Sequence, residues 1–177
     1  MQMQKRKLVL FIAASLDGYI ATKEESLEWL FSVEGEGDNG YSEFYDTVDT
    51  VIMGKKTYDW VINHIEDFPY QNKACYVFTR SDVKDTEHVQ FIKDDIVSFT
   101  NQLKQQEGRN IWIVGGGELL SSFMEEQLID EMILTIAPVI IGSGIPLFKE
   151  GQYQAEFTLK GTRTFNQFAE LHYEVKS

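Results

Sequence analysis

The sequence predicts an α/β fold built on one mostly parallel sheet with an antiparallel hairpin at its C-terminal end. Three observations carry that expectation. Strand-like and helix-like segments alternate along most of the chain, the pattern that places crossover helices between parallel strands. The inner strand candidates are continuous apolar runs, such as Ile111-Trp112-Ile113-Val114, which suit strands covered on both faces. The last two candidates partly alternate and meet at Phe165-Asn166-Gln167, a turn that closes a hairpin.

The elements follow in order. A basic stretch, Met1 to Lys7, precedes the apolar run Leu8 to Ala14. A signal peptide is the competing reading of this start. The run is short and stops at Ser15-Leu16-Asp17-Gly18 without a small-residue cleavage site, so it reads as a buried strand over 7–14. Further strands are expected over 50–53, 74–79, 89–92, 111–114 and 131–141, and the hairpin over 156–164 and 167–175. Between them, Leu119, Leu120, Phe123, Met124 and Leu128 share one helical face, as do Ile96, Phe99 and Leu103 in a helix over 94–106 that Gly108 ends. Shorter helices are expected over 41–47 and 56–62. Glu34-Gly35-Glu36-Gly37-Asp38-Asn39-Gly40, acidic and glycine-rich, reads as a mobile surface loop.

Composition narrows the class of protein. A chain of 177 residues suits one domain, with 43% hydrophobic and 25% charged residues and no need of disulfides or metals to build a core. The one cysteine, Cys75, sits in an apolar run and reads as a core thiol in a reducing, cytoplasmic setting. No stretch approaches the ~20 apolar residues of a membrane span. The net charge of −12 repels a polyanion such as DNA. An anionic cofactor remains possible where cations or backbone N–H groups are gathered locally.

Three places gather them. In Val114-Gly115-Gly116-Gly117-Glu118-Leu119 a buried strand runs through three glycines into a helix. Glycine lets a backbone approach a diphosphate, and the free N–H groups of a helix start attract anions. The glycine spacing is not that of the dinucleotide fingerprint. In Met53-Gly54-Lys55-Lys56-Thr57 two lysines and a hydroxyl stand at a helix start, where they oppose the helix dipole. In Thr79-Arg80-Ser81 a strand end delivers a guanidinium and two hydroxyls, a set suited to a phosphate monoester. Ligands of open α/β sheets gather at the C-terminal ends of strands. Histidines 64, 88 and 172 are scattered, and no metal-ligand spacing, Walker loop or nucleophile elbow is present.

Taken in order, these motifs resemble the dihydrofolate reductase superfamily over about residues 7–175. Two more segments join the set: Ala14-Ser15-Leu16-Asp17-Gly18-Tyr19-Ile20-Ala21, and Asp130-Glu131 with Pro138 to Phe148. The nearest branch is the bacterial group that shares its domain with the reductase half of the riboflavin-biosynthesis deaminase-reductase, the RibD C-terminal domain. The resemblance implies one three-layer α/β/α domain over 1–177 that binds NADPH. Ala13 and Ile20 would hold the nicotinamide carboxamide, and Asp17-Gly18-Tyr19 would form the active-site loop. Gly54, Lys55, Lys56 and Thr57 would bind one side of the diphosphate, and Val114 to Leu119 the other, with a cis peptide between Gly115 and Gly116. Thr79, Arg80 and Ser81 would select the 2′-phosphate. Thr135 would floor the substrate pocket. A water held by Asp17, or by a carboxylate of the Asp38–Asp46 region with Asp38 the first choice, would deliver the proton.

The folate half departs from the family pattern. Ser26-Leu27-Glu28-Trp29-Leu30 stands where Pro-Trp is usual, Lys73 aligns with the arginine that grips the folate tail, and Asp38, Glu43 and Asp46 compete for the pterin carboxylate. The resemblance therefore implies an NADPH-dependent reductase of a small heterocyclic or sugar-derived substrate, similar to 5-amino-6-(5-phosphoribosylamino)uracil reductase. True dihydrofolate reduction and a non-catalytic NADPH sensor are the alternatives. A homodimer is expected from the apolar run 133–141 and the C-terminal strands.

Overall fold

The computed structural model describes residues 5–176; residues 1–4 of the basic N-terminal stretch and Ser177 lie outside the described residues. The strands are β1 Leu8–Ser15, β2 Tyr19–Ala21, β3 Val48–Gly54, β4 Ala74–Phe78, β5 Gln90–Ile92, β6 Asn110–Gly115, β7 Glu131–Ala137, β8 Ile145–Pro146, β9 Phe157–Phe165 and β10 Phe168–Val175. The helices are α1 Glu28–Phe31, α2 Tyr41–Tyr45, α3 Lys55–His64, α4 Ile96–Gln105 and α5 Gly117–Glu125. Eight strands form one sheet in the order β5-β4-β3-β6-β1-β7-β10-β9. β5 to β7 across the sheet run parallel; β10 is antiparallel to both β7 and β9. β2 and β8 pair apart from it as a short antiparallel ribbon.

Side-chain alternation splits the core in two. Leu8, Leu10, Ile52, Ile111, Ile113 and Leu134 face one way and pack with Leu103 of α4 and with Leu120, Phe123 and Met124 of α5. Val9, Val51, Met53 and Trp112 face the other way and pack with Phe44 of α2, Tyr58 of α3 and Tyr70. The result is an α/β/α sandwich. It explains the continuous apolar runs Leu8 to Ala14 in β1, Val51 to Met53 in β3 and Ile111 to Val114 in β6: neither face meets water. Cys75 of β4 lies in the second layer, and burial pushes its thiol up to about 12.

Three boundaries differ from expectation for local reasons. The apolar run over 131–141 stops as a strand at Ala137, because Pro138 has no N–H to give the ladder. Beyond it the chain turns outward and Ile140 is 69% exposed. Leu128 is buried but not helical: α5 ends at Glu125, Gln127 adopts a positive φ of 54°, and the Leu128 N–H returns to Phe123 O at 3.0 Å. α4 ends at Gln105, before Gly108. Gly108 is needed for another reason, since a Cβ there would stand 2.6 Å from Asp49 Oδ2 and 3.0 Å from Arg6 Cζ. The stretch 34–40 is mostly exposed and folded into turns, its Glu36 N–H donating to Asn39 Oδ1 at 2.9 Å.

Trp112 anchors the second layer. Its indole N–H donates to Phe11 O at 3.0 Å. Its ring meets those of Phe11, Tyr41, Phe44, Tyr45 and Tyr70 at centroid distances of 5.5 to 6.4 Å, all near edge-on, the arrangement that suits the ring quadrupole. Two of those rings belong to the ends of α2, so this residue holds α2 against the sheet. We expect Trp112→Ala to lower unfolding free energy by ~3–5 kcal/mol in a denaturant titration. A loss below ~1 kcal/mol would mean that the aromatic layer closes without it.

Candidate active site

The register of the parallel strands brings the three anion-binding segments side by side. Met53 pairs with Gly115 across β3 and β6, and Gly54 with Phe78 across β3 and β4. Gly54-Lys55-Lys56-Thr57, Thr79-Arg80-Ser81 and Gly115 to Leu119 therefore leave the sheet at one level of its C-terminal edge. α3 and α5 both start there, capped by Gly54 and Gly116 in extended conformation with no side-chain cap. Their first N–H groups are left for a ligand or water.

The glycines are required by how closely these backbones approach. Gly115 has φ +133°, and the Gly115–Gly116 peptide is cis. A Cβ on Gly116 would stand 3.1 Å from Thr57 Oγ1, and one on Gly117 3.2 Å from Pro146 O. Gly54 completes the cradle: its Cβ position is 3.8 Å from Gly116 N. Leu119 and Val114 are half-buried, packing into the first and second layers respectively.

The cations around this cradle are not equivalent. Lys55 turns back to Asp59 at 2.5 Å and is largely committed there. Lys56 is exposed and bears on the carboxylate of Glu118, which is held below the usual carboxylate range by Lys149, then Lys56, with a smaller effect of Arg80. Lys149 was not singled out by the sequence reading, since no local motif marks it; β8 delivers it. Arg80 is exposed at the end of β4, where Thr79 N–H donates to Ile92 O at 3.0 Å and Ser81 N–H to Thr79 Oγ1 at 3.1 Å. A cavity of about 290 Å³ opens beside it, lined by Ser81, Asp82, Val83, Lys84, Phe91 and Lys93.

On the other side, strand register lays one row across four strands: Ala13 opposite Thr135, Thr135 opposite Glu170, and Glu170 opposite Arg163. Directly paired residues share a face. Thr135 and Glu170 are buried. Arg163 grips Glu170 with Nε at 2.9 Å and Nη2 at 3.3 Å, and gives Nη1 to Glu43 at 3.0 Å. Gly40, at φ +80°, sits on this pair; a Cβ there would stand 3.1 Å from Arg163 Nη2. The sequence reading missed Glu170. It lies in a partly alternating hairpin with no motif of its own, and only the strand register places it opposite Thr135.

A family model, RibD C-terminal domain, matches residues 6–169. The chain belongs to the RibD C-terminal domain family. It is 55% identical to YwjB, an uncharacterized protein of Bacillus subtilis (strain 168), over 96% of this chain and 98% of that one. Among solved structures, a Shewanella sp. PV-4 protein provisionally assigned to riboflavin biosynthesis is 31% identical, with a TM-score of 0.89 over 97% of this chain and 99% of that one. The Thermotoga maritima diaminohydroxyphosphoribosylaminopyrimidine deaminase/5-amino-6-(5-phosphoribosylamino)uracil reductase has a TM-score of 0.70 at 15% identity, covering 97% of this chain and 57% of that one. Enterococcus faecalis dihydrofolate reductase, solved with NADP(H), has 0.65 at 14%, covering 97% of each. These last two share the dihydrofolate reductase-like fold.

Within this RibD C-terminal domain, both aspartates expected to serve proton delivery are taken up by local structure. Asp17 accepts from Ser15 Oγ at 2.6 Å, Gly142 N–H at 2.8 Å and Ile141 N–H at 3.3 Å. It clasps the loop after β1 to the loop after β7, and the same junction carries Leu16 N–H to Val139 O at 2.8 Å and Leu147 N–H to Gly18 O at 2.9 Å. The ribbon β2–β8 continues the junction and places Ile20, half-buried, against the first layer. Asp38 is exposed and bonds the Ser42 N–H and hydroxyl at the start of α2. Both carboxyls lie below the usual aspartate range, chiefly through the Ser15 and Ser42 hydroxyls respectively, so both are acceptors at neutral pH. His172 lies near Glu131 at 3.2 Å, and His64 stacks on Trp60.

The Ser15 hydroxyl and two backbone N–H groups hold the Asp17 carboxyl in its charged form. Its clasp is complete above the ordinary aspartate value of 3.8 and is lost as pH falls through the lower folded value. Amide exchange at Gly142, corrected for intrinsic rate, should be unchanged between about pH 7 and pH 5. Asp17→Asn should speed it roughly 5-fold by removing a charge-assisted acceptor. Equal exchange in both proteins would show that Asp17 does not hold this loop.

Proposed function

We propose that the protein is an NADPH-dependent reductase acting on a small heterocyclic or sugar-derived substrate, with chemistry similar to 5-amino-6-(5-phosphoribosylamino)uracil reduction. The observation that carries the reading is the convergence of three phosphate-type sites at one sheet edge: the glycine cradle, the Gly54-Lys55-Lys56-Thr57 helix start, and Thr79-Arg80-Ser81. A structural turn needs one glycine at such a place; here three consecutive glycines, two of them closely approached, and two uncapped helix starts leave room and N–H groups for a diphosphate. The residues present fit the cofactor. Gly115 to Leu119 and Gly54 to Thr57 would hold its diphosphate from two sides, Arg80 with Thr79 and Ser81 its 2′-phosphate, and Ala13 with Ile20 its carboxamide. Bound there, NADPH supplies a hydride.

The protein's part in the chemistry is orientation. The row Ala13, Thr135, Glu170 and Arg163 gives the neighbouring surface one hydroxyl and one buried, oriented carboxylate. With Asp17 and Asp38 engaged as acceptors, the proton that follows the hydride would come from a water on Thr135. The family, the relatives and the shared fold with an NADP(H)-bound reductase support the reading.

A fluorescence titration tests it. The parent protein should bind NADPH, and Arg80→Ala should weaken NADPH far more than NADH. A charge-assisted hydrogen bond is worth ~1.5–3 kcal/mol, or roughly 10–150-fold in affinity. Equal losses for the two cofactors would place Arg80 elsewhere than at the 2′-phosphate.

Folate is a poor fit. Lys73, which aligns with the tail-gripping arginine, stands 4.5 Å over the Tyr45 ring in a cation–π contact and lacks the planar fork of arginine. With NADPH and dihydrofolate at pH 7 we expect a specificity constant below the usual enzyme range of ~10⁴–10⁸ M⁻¹s⁻¹. A value within that range would restore dihydrofolate reduction as the function.

We further propose a cytoplasmic homodimer. The apolar run 133–141 does not support pairing, since its strand part lies inside the sheet between β1 and β10. β9 does: it is an edge strand, exposed from Thr158 to Thr164, with Leu159 54% exposed. Such edges are usually covered. Sedimentation should give about twice 20.4 kDa at micromolar concentration, and a mass near 20.4 kDa would count against the dimer.

A further inference from the structure

Gly117 is the point where the start of α5 meets the segment that runs from β8 to Lys149. A Cβ there would lie 3.2 Å from Pro146 O, 3.6 Å from Ile145 Cγ2 and 3.8 Å from Lys149 Cε. The stem of Lys149 therefore runs along the first turn of α5, and its Nζ stands 3.4 Å from Glu118 Oε1. Both groups are substantially exposed, at 36% and 68% of their side chains. An exposed pair of this kind adds little to stability. The Glu118 carboxylate, in the first turn of α5 where the helix dipole favours it, stands beside Lys149 and within the fields of Lys56 and Arg80, at the mouth of a cradle whose backbone donors attract anions.

Charge gives this placement a consequence. The carboxylate offsets part of the positive charge that Lys56 and Lys149 bring to the cradle, charge that the diphosphate would otherwise meet. A carboxylate placed there cannot bind that anion; it competes with it for the cations.

We propose that Lys149 is a diphosphate-binding residue of the glycine cradle, and that the Glu118 carboxylate is its internal counter-ion, holding Lys149 in place until the anion of a dinucleotide displaces it. This rests on the dinucleotide reading above. It assigns opposite effects to two residues that touch each other. Removing the lysine weakens cofactor binding; removing the acid strengthens it. The gain from removing the acid depends on the lysine, because the acid acts through it.

The test uses four intact proteins: the parent, Lys149→Ala, Glu118→Gln and the double variant, each confirmed folded by circular dichroism. Each is titrated with NADPH, NADH and inorganic pyrophosphate at low salt and at about 0.5 M salt, where surface charge effects are screened. Lys149→Ala should weaken NADPH and NADH alike, roughly 10-fold, since the diphosphate is common to both. That equality separates Lys149 from Arg80. Glu118→Gln should tighten both about 2- to 5-fold, the size of an exposed charge interaction, with the gain shrinking in high salt and in the Lys149→Ala background. Unchanged or weakened binding in Glu118→Gln, or full affinity in Lys149→Ala, overturns the proposal. If the parent binds neither nucleotide, the reductase reading fails, and pyrophosphate alone decides this inference. The same order of affinities among the four proteins upholds it, and no binding or indifference to Lys149 overturns it.

Discussion

The site depends on the distance between two backbone turns. β3 and β6 are neighbours in register, so the chain leaving one must pass the chain leaving the other within van der Waals contact. Glycine at 116 keeps that passage clear, since a Cβ there would stand 3.1 Å from Thr57 Oγ1, and glycine at 117 clears a second approach, 3.2 Å from Pro146 O of β8. The close passage sets both helix starts at one level, and with them two sets of free N–H groups. A side chain at 116 would crowd Thr57 of α3, and one at 117 would crowd β8. The cradle is therefore a property of strand register as much as of glycine content.

Charge is distributed to match. The chain is strongly acidic, at −12, yet many of its cations are spent away from the cradle. Arg6 is paired with Asp49, Lys7 with Glu131, Lys93 with Asp82, Lys104 with Asp130 and Arg163 with Glu170. Lys56 and Arg80 form no ion pair among the described residues, and both stand at the glycine edge. A locally positive mouth in a negative molecule draws an anion to one place and discourages it elsewhere.

Much of this was legible in the sequence because it is written in local patterns. Apolar runs at β1, β3 and β6 announce strands covered on both faces, and a glycine run between strand and helix announces a tight turn. What escaped is set by long-range register. Glu170 has no motif of its own; only when β10 is laid beside β7 does it come opposite Thr135, with its carboxylate on Arg163. Lys149 has no motif of its own; it reaches the cradle because β8 pairs with β2, and strands of two and three residues leave little periodic signal. Lys55 and Lys56 are alike in sequence, but the helix turns Lys55 toward Asp59 one turn on. Asp17 looked like an acid poised over a reaction, and its neighbours in space make it a fastening.

Cys75 lends itself to a different use. As the chain's sole thiol it lies in β4 with Val51 as its parallel neighbour, and in the folded state it is both covered and protonated. Thiolate is the reactive form, so alkylating reagents have almost nothing to attack until β4 is uncovered. The rate of labelling at this one atom therefore reports how often the sheet opens beside β3, the strand that carries Gly54. The molecule holds a built-in chemical clock for the breathing of its own cofactor edge, readable by mass without any added probe.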